Sequence, residues 1–263
     1  MTGALPHFAL VWALASGALV GALLGLFGGG GSILATPLLL YVVGIRDPHV
    51  AIGTSAAAVS INAAVGLVGH ARQGRVKWPC ATVFAAAGLA GSLAGSSISK
   101  AVDGSRLLLL FAVAMAVIAL SMARRPRSMG NPAVTITWRL AARLAPLGGL
   151  TGLAAGFFGI GGGFLIVPGL MAAAGMTLAN ATASSLVSVA LFGGATSLNY
   201  AASGLVNWPV AGLFIVGGLG GGVAGLRGAG ILAAHALLAR RLFAGLVLLV
   251  AAYVAWRATV GAA

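Results

Sequence analysis

The sequence predicts an all-α integral membrane protein built from two copies of one multi-helix unit. The first observation behind this prediction is composition, because 60% of the 263 residues are hydrophobic and only 6% are charged. An ordinary soluble domain carries about a quarter charged residues. So few charges cannot cover a soluble surface, and we expect the apolar runs to face lipid or one another.

The second observation is an internal repeat. FGGGGSILATP at 27–37 matches FGIGGGFLIVP at 158–168, at an offset of 131 residues. After a gap of one residue, the match continues with three further pairs: Thr54-Ser55 with Ser184-Ser185, His70 with Tyr200, and Trp78-Pro79 with Trp208-Pro209. Separate features that align with a single gap indicate a repeated structural unit. The tryptophan–proline pairs are typical of helix starts, with proline in the first turn.

The repeat divides the chain into a first membrane repeat at 1–127 and a second at 145–263. The basic segment between them, 128–144, is the expected linker. Glycines spaced by four in both halves are typical of close helix packing. They are Gly17, Gly21, Gly25, Gly91, Gly95, Gly217, Gly221 and Gly225.

Two apolar runs are too short to be ordinary membrane spans. The runs at 32–44 and 163–175 reach only about 20 Å as helices, against a hydrocarbon core of about 30 Å. Each follows a glycine-rich sequence, which we call the first glycine stretch (28–31) and the second glycine stretch (159–163). We expect each run to be part of a broken-helix hairpin, which with three transmembrane helices per half gives about 8–10 membrane segments. The run at 228–239 is the expected interfacial or linking helix.

The distribution of basic residues predicts that the two halves have inverted topology. With the N-terminus outside, eleven Lys and Arg residues lie inside and four outside, as the positive-inside rule requires. The inside residues are Arg72, Arg75, Lys77, Arg124, Arg125, Arg127, Arg139, Arg143, Arg227, Arg240 and Arg241, and the outside residues are Arg46, Lys100, Arg106 and Arg257. The central basic loop is then cytoplasmic, and the protein is expected in the inner (plasma) membrane. Membrane lipids, not nucleic acid, are the expected neighbours of a net charge of +13.

The glycine stretches are the predicted substrate site, because a helix that begins after each one offers free N–H groups at about Ser32 and Phe164. Such ends bind anions without a cationic side chain. The predicted substrate-binding residues are Gly29, Gly30, Gly31, Ser32, Thr54, Ser55, Gly161, Gly162, Gly163, Ser184 and Ser185. Asn62 and Ser188 belong to a wider set of small polar residues on the same runs. For all of them, packing or hydrogen bonding between helices is the alternative interpretation.

Other chemistry has little support in the sequence. There is no Glu, and Asp47 and Asp103 fall in predicted loops. We therefore expect no cofactor, no metal site and no enzymatic activity. No Walker-type loop is present, so we do not expect ATP to drive transport within this chain. A proton or a sodium ion is the candidate coupling ion.

The stretches GLFGGGGSILATP and GFFGIGGGFLIVP, together with AIGTSAAAVSINA, ATASSLVSVALFG, KWP and NWP, resemble the sulfite exporter TauE/SafE family. The resemblance covers nearly the whole chain. It implies a permease for sulfite, thiosulfate, sulfonates or related organosulfur anions. A departure occurs at Ala183-Ser184-Ser185, where Gly-Thr-Ser is expected. An anion channel of the same fold and a transporter of a non-sulfur organic anion are the alternatives.

Overall fold

The computed structural model describes residues 7–123, 131, 134, 136–159, 163–232 and 236–260, and these form ten α-helices. The helices are α1 (His7–Phe27), α2 (Ala35–Leu38), α3 (Pro48–Arg72), α4 (Trp78–Lys100), α5 (Gly104–Ala123), α6 (Trp138–Phe158), α7 (Gly163–Ala174), α8 (Leu178–Ala201), α9 (Trp208–Leu232) and α10 (Ala236–Val260).

Seven helical stretches in the described part of the chain are long and apolar enough to cross a membrane. Six lie in α3, α4, α6, α8, α9 and α10, and the seventh runs from Ala9 to Val43. The predicted all-α membrane fold is therefore confirmed. As predicted, α4 begins at Trp78 and α9 at Trp208, and Pro79 lies in the first turn of α4.

Three boundaries differ from the sequence prediction. Helix α6 already begins at Trp138, because the Thr137 hydroxyl caps it by accepting the N–H of Leu140 at 3.3 Å. The expected separate helix at 228–239 is wrong, since 228–232 continue α9 and 236–239 belong to α10. A helix start at Ser32 is also wrong, because Gly28–Leu34 form a 3₁₀ helix that leads into α2 and a π-helical turn at Leu39–Val43.

The repeat is visible in the backbone. Among the described residues, the glycines with positive φ fall into three pairs at the repeat offsets, namely Gly28 with Gly159, Gly44 with Gly175, and Gly74 with Gly204. The first pair ends α1 and α6, where φ values of 62° and 66° need a residue without Cβ. The two long helices that precede the glycine stretches therefore stop in the same way.

Packing between the halves follows the same symmetry. Helix α1 packs along α9 and α4 packs along α6, so exchanging the halves turns one pair into the other. At the first of these contacts Gly21 lies against the backbone of Gly218, and Gly221 lies against the carbonyl of Ala18. The prediction that the four-spaced glycines serve close helix packing is confirmed.

Two neighbouring glycines of α9 provide a test of this packing. A methyl group at Gly221 would overlap the Ala18 carbonyl, whereas a methyl group at Gly220 would meet no atom within 4 Å. We expect Gly221→Ala to lower the thermal unfolding temperature in detergent, because backbone in a packed contact cannot move aside cheaply. Gly220→Ala is the matched control and should be neutral or slightly stabilising. Equal melting temperatures for the two variants would contradict the observed contact.

Candidate functional site

Helices α3 and α8, which are equivalent in the two halves, cross at the centre of the protein. The Ser60 hydroxyl donates to the Ala190 carbonyl at 2.6 Å, and Gly193 lies against Ala56 and Ser60. Residues later in α3 therefore contact residues earlier in α8, which means that the two equivalent helices run antiparallel. Both helices are largely buried, and neither carries Lys, Arg, Asp or Glu between 48 and 71 or between 178 and 201.

The two glycine stretches meet beside this crossing. All residues of Gly28–Leu34 are buried, and the backbone of Gly29 lies directly against the backbone of Gly163. A side chain on either glycine would overlap the backbone of the other glycine. Gly161 and Gly162, two of the predicted site residues, lie outside the described residues.

Each glycine stretch contacts a serine from the opposite half. The Gly29 N–H donates to Ser185 Oγ at 3.3 Å, and Ser55 Oγ donates towards the Gly159 carbonyl at 3.4 Å. Ser185 also donates to the Thr182 carbonyl at 2.7 Å. The structure therefore brings the predicted residues Gly29, Gly163 and Ser185 together from both halves, whereas Ser55 lies beside Gly159 at the other end of the second glycine stretch.

Two further polar side chains, Ser32 and Thr36, lie in the 3₁₀ helix and in α2, which follow α1. Ser32 Oγ donates to the Gly29 carbonyl at 2.7 Å and so closes the first 3₁₀ turn. Thr36 Oγ1 lies 2.9 Å from Ser55 Oγ, and its residue is 1% exposed. Sequence reasoning missed Thr36, because the equivalent residue is Val167 and the repeat gives no polar signal there.

Thr54 and Ser184 serve a different contact. The Asn207 N–H donates to Thr54 Oγ1 at 2.9 Å, and the Lys77 N–H donates to Ser184 Oγ at 2.9 Å. Asn207 and Lys77 immediately precede α9 and α4, so each hydroxyl holds the start of a helix from the opposite half. The exchange of threonine for serine between the halves leaves this bond unchanged.

Gly30 differs from its neighbours because there is space beside it. Among the described residues, a Cβ at Gly30 would meet only Phe27 Cβ, at 3.8 Å, whereas a Cβ at Gly31 would overlap the backbone of Leu23. Gly30 is nevertheless buried. Gly30 is therefore the position of the first glycine stretch where a side chain meets the fewest described atoms.

Comparison with known proteins places this arrangement in a family. The model of the family described as sulfite exporter TauE/SafE matches residues 13–254, which is most of the chain. The chain belongs to the TauE/SafE family. The resemblance seen in the glycine stretches and helix starts is therefore confirmed.

Relatives of this TauE/SafE protein carry transporter names. A "probable membrane transporter protein" of Xylella fastidiosa strain Temecula1 is 52% identical over 94% of this chain and 95% of its own length. The "probable membrane transporter protein YunE" of Bacillus subtilis is 26% identical over 78% of this chain and 82% of its own length. No solved structure matches the chain. Family and relatives together show that this is a membrane transporter.

The hydrogen bonds between the halves of the TauE/SafE protein lead to a stability prediction. Thr54→Val and Ser184→Ala each leave a half-buried N–H without its acceptor, which costs up to the roughly 1–3 kcal/mol of a fully buried group. Each variant should unfold at a lower temperature in detergent, and the double variant at a lower temperature still. Thr82→Val is the control, because Thr82 bonds only to carbonyls of its own helix, those of Trp78 and Pro79. A control that melts as early as Thr54→Val would contradict the assigned role.

Proposed function

We propose that this protein is a secondary transporter of a small anion, with its substrate site where the two glycine stretches meet. The observation that carries the proposal is the buried contact of Gly29 with Gly163, flanked by Ser55 and Ser185. Such a site consists of backbone amides and hydroxyls drawn from both halves. Donors of this kind suit an anion, and α3 and α8 supply no charged side chain to compete for it.

Inverted halves are part of this proposal, because alternating access works by moving one repeat against the other. Three contacts support inversion. The equivalent helices α3 and α8 run antiparallel around Ser60 and Ala190, whereas α1 runs parallel to α9 and α4 runs parallel to α6. A chain whose halves shared one orientation would place α3 and α8 parallel.

We propose that the protein lies in the inner membrane and that the basic end of its helix bundle faces the cytoplasm. Gly69, near the end of α3, packs on Leu226, near the end of α9. The turn that carries Arg72, Arg75 and Lys77 therefore lies at the same end as Arg227. This clustering supports the positive-inside assignment, with the N-terminus and Lys100 on the outer side.

The substrate class is proposed from the family description. Sulfite is the anion that this description names, and thiosulfate, sulfonates and related organosulfur anions share its charge and its oxygen acceptors. A non-sulfur organic anion is the alternative substrate, and a continuous anion channel is the alternative mechanism. A proton or a sodium ion is the proposed coupling ion.

Counterflow in sealed proteoliposomes tests the function. Vesicles loaded with one unlabelled anion are diluted into the same labelled anion, for a panel of sulfite, thiosulfate, sulfate, sulfoacetate, taurine and simple carboxylates. A transporter accumulates label transiently, because exchange across one alternating site is faster than net flux. Flux without accelerated exchange would identify a channel, and no flux of any anion above that of empty vesicles would refute the proposal.

Gly30 provides the variant that probes the site itself. Because a Cβ at Gly30 meets, in the described part of the chain, only Phe27 Cβ, Gly30→Ala should fold normally while adding a methyl group beside the backbone. We expect its exchange rate to fall at least about tenfold, as for a lost hydrogen bond to a charged ligand. Gly30→Leu should abolish exchange.

Gly212→Ala is the matched control, since Gly212 also has open space but lies at an exposed position on α9. It should transport like the wild type. Normal exchange by Gly30→Leu in correctly folded protein would exclude the first glycine stretch from the site.

A further inference from the structure

Two buried polar side chains near the α3–α8 crossing make no hydrogen bond. Asn62 is 5% exposed, and both its Nδ2 and its Oδ1 lack a partner. Ser188 is fully buried, and its Oγ also lacks one. Among the described residues, the other buried side-chain atoms without a partner belong to His49 and His70, near the two ends of α3. Asn62 and Ser188 are therefore the unsatisfied groups in the middle of the central helices.

Both side chains lie at about the depth of the first glycine stretch, because Gly29 lies against Val189, the neighbour of Ser188. Asn62 follows Ser55 by seven residues, and Ser188 follows Ser185 by three, so each lies on the same helix face as that serine. Ser60 meets Ala190 in an antiparallel crossing. Asn62 lies two residues after this contact on α3, and Ser188 lies two residues before it on α8. Because the helices are antiparallel, the two side chains lie at about the same depth in the membrane.

Asn62 fills a space beside a glycine of α9, and its repeat equivalent fills the matching space in the other half with a different side chain. Its amide lies against Gly218 of α9, in the space that a side chain there would need. The equivalent residue is Phe192, which is fully buried and fills the matching space at Gly88 of α4. An apolar side chain thus fits this position, and packing alone does not explain an amide in the middle of a membrane helix, where unpaired polar atoms are costly.

We propose that Asn62 is a substrate-binding residue that makes the site asymmetric, because only the first half supplies it. The inference rests on the proposed function and adds a ligand contact to it. Nδ2 donates a hydrogen bond to an oxygen of the anion. Oδ1 repels a bare oxyanion, so the fitting ligand is a small oxyanion that also carries an O–H or N–H group, such as hydrogensulfite or an amino-sulfonate.

Asn62→Leu separates a ligand contact from a packing residue. Leucine has the same branched shape and number of side-chain heavy atoms and removes both unpaired polar atoms, so unliganded protein should melt at the same or a higher temperature than wild type. Sulfite, thiosulfate and taurine are added separately to each purified protein, and its melting shift is measured together with counterflow. We expect the ligand-induced shift to vanish and the half-saturating concentration to rise about tenfold or more.

Thr151→Val is the control, because it also replaces a polar group of a membrane helix with an apolar one of the same shape. Thr151 donates only to carbonyls of its own helix, those of Leu147 and Gly148, and its repeat equivalent is Val20. This variant should keep the wild-type ligand shift and affinity. If Asn62→Leu does not fold, Asn62→Ala leaves space at Gly218 and is measured in the same way.

The outcomes distinguish the two levels of inference. Wild-type protein that responds to none of the three anions and shows no counterflow would overturn the proposed function, and this inference with it. Wild-type protein that responds while Asn62→Leu responds equally would overturn the role of Asn62 alone. A wild type that responds to thiosulfate but to neither sulfite nor taurine would overturn the proposed ligand class.

Discussion

Close approach of backbone to backbone is the constraint on which this structure depends. In hydrocarbon there is no water to satisfy an exposed N–H or carbonyl group, so the helices bond their backbone groups internally and the two halves pack by close contact of one backbone against another. Glycine permits this where Gly29 meets Gly163 and where Gly21 meets Gly218. The proposed anion site lies at the first of these contacts.

Hydroxyl groups divide their work between holding the halves together and shaping the site. Thr54 and Ser184 each accept an N–H from the residue before a helix of the opposite half, which fixes α4 and α9 against the centre. Ser55 and Ser185, one residue further on, reach the glycine stretches instead. A rotation of about 100° per residue along a helix is enough to separate these two tasks.

The repeat made most of the fold predictable, because the starts of α1, α3 and α4 and each positive-φ glycine of the described residues have counterparts at the repeat offsets. Trp78 and Trp208 begin helices as expected. The Ser32 boundary was wrong, because Gly28–Leu34 wind into a 3₁₀ helix that tertiary contacts with Leu23 and Thr182 hold in place. Composition could not reveal this winding, since glycine tolerates both helical and non-helical backbone.

The sequence by itself determined a helical membrane protein of two similar halves, because apolar runs, sparse charge and repeated glycines are local properties of the chain. It also placed glycine and serine at the positions of the proposed site. Only the tertiary structure decided which hydroxyls hold helices and which face the glycine stretches, and that Asn62 is buried without a partner. These properties depend on which side chain of one half meets which backbone atom of the other half. Such contacts join residues far apart in the sequence, so they cannot be predicted from neighbouring residues in the chain.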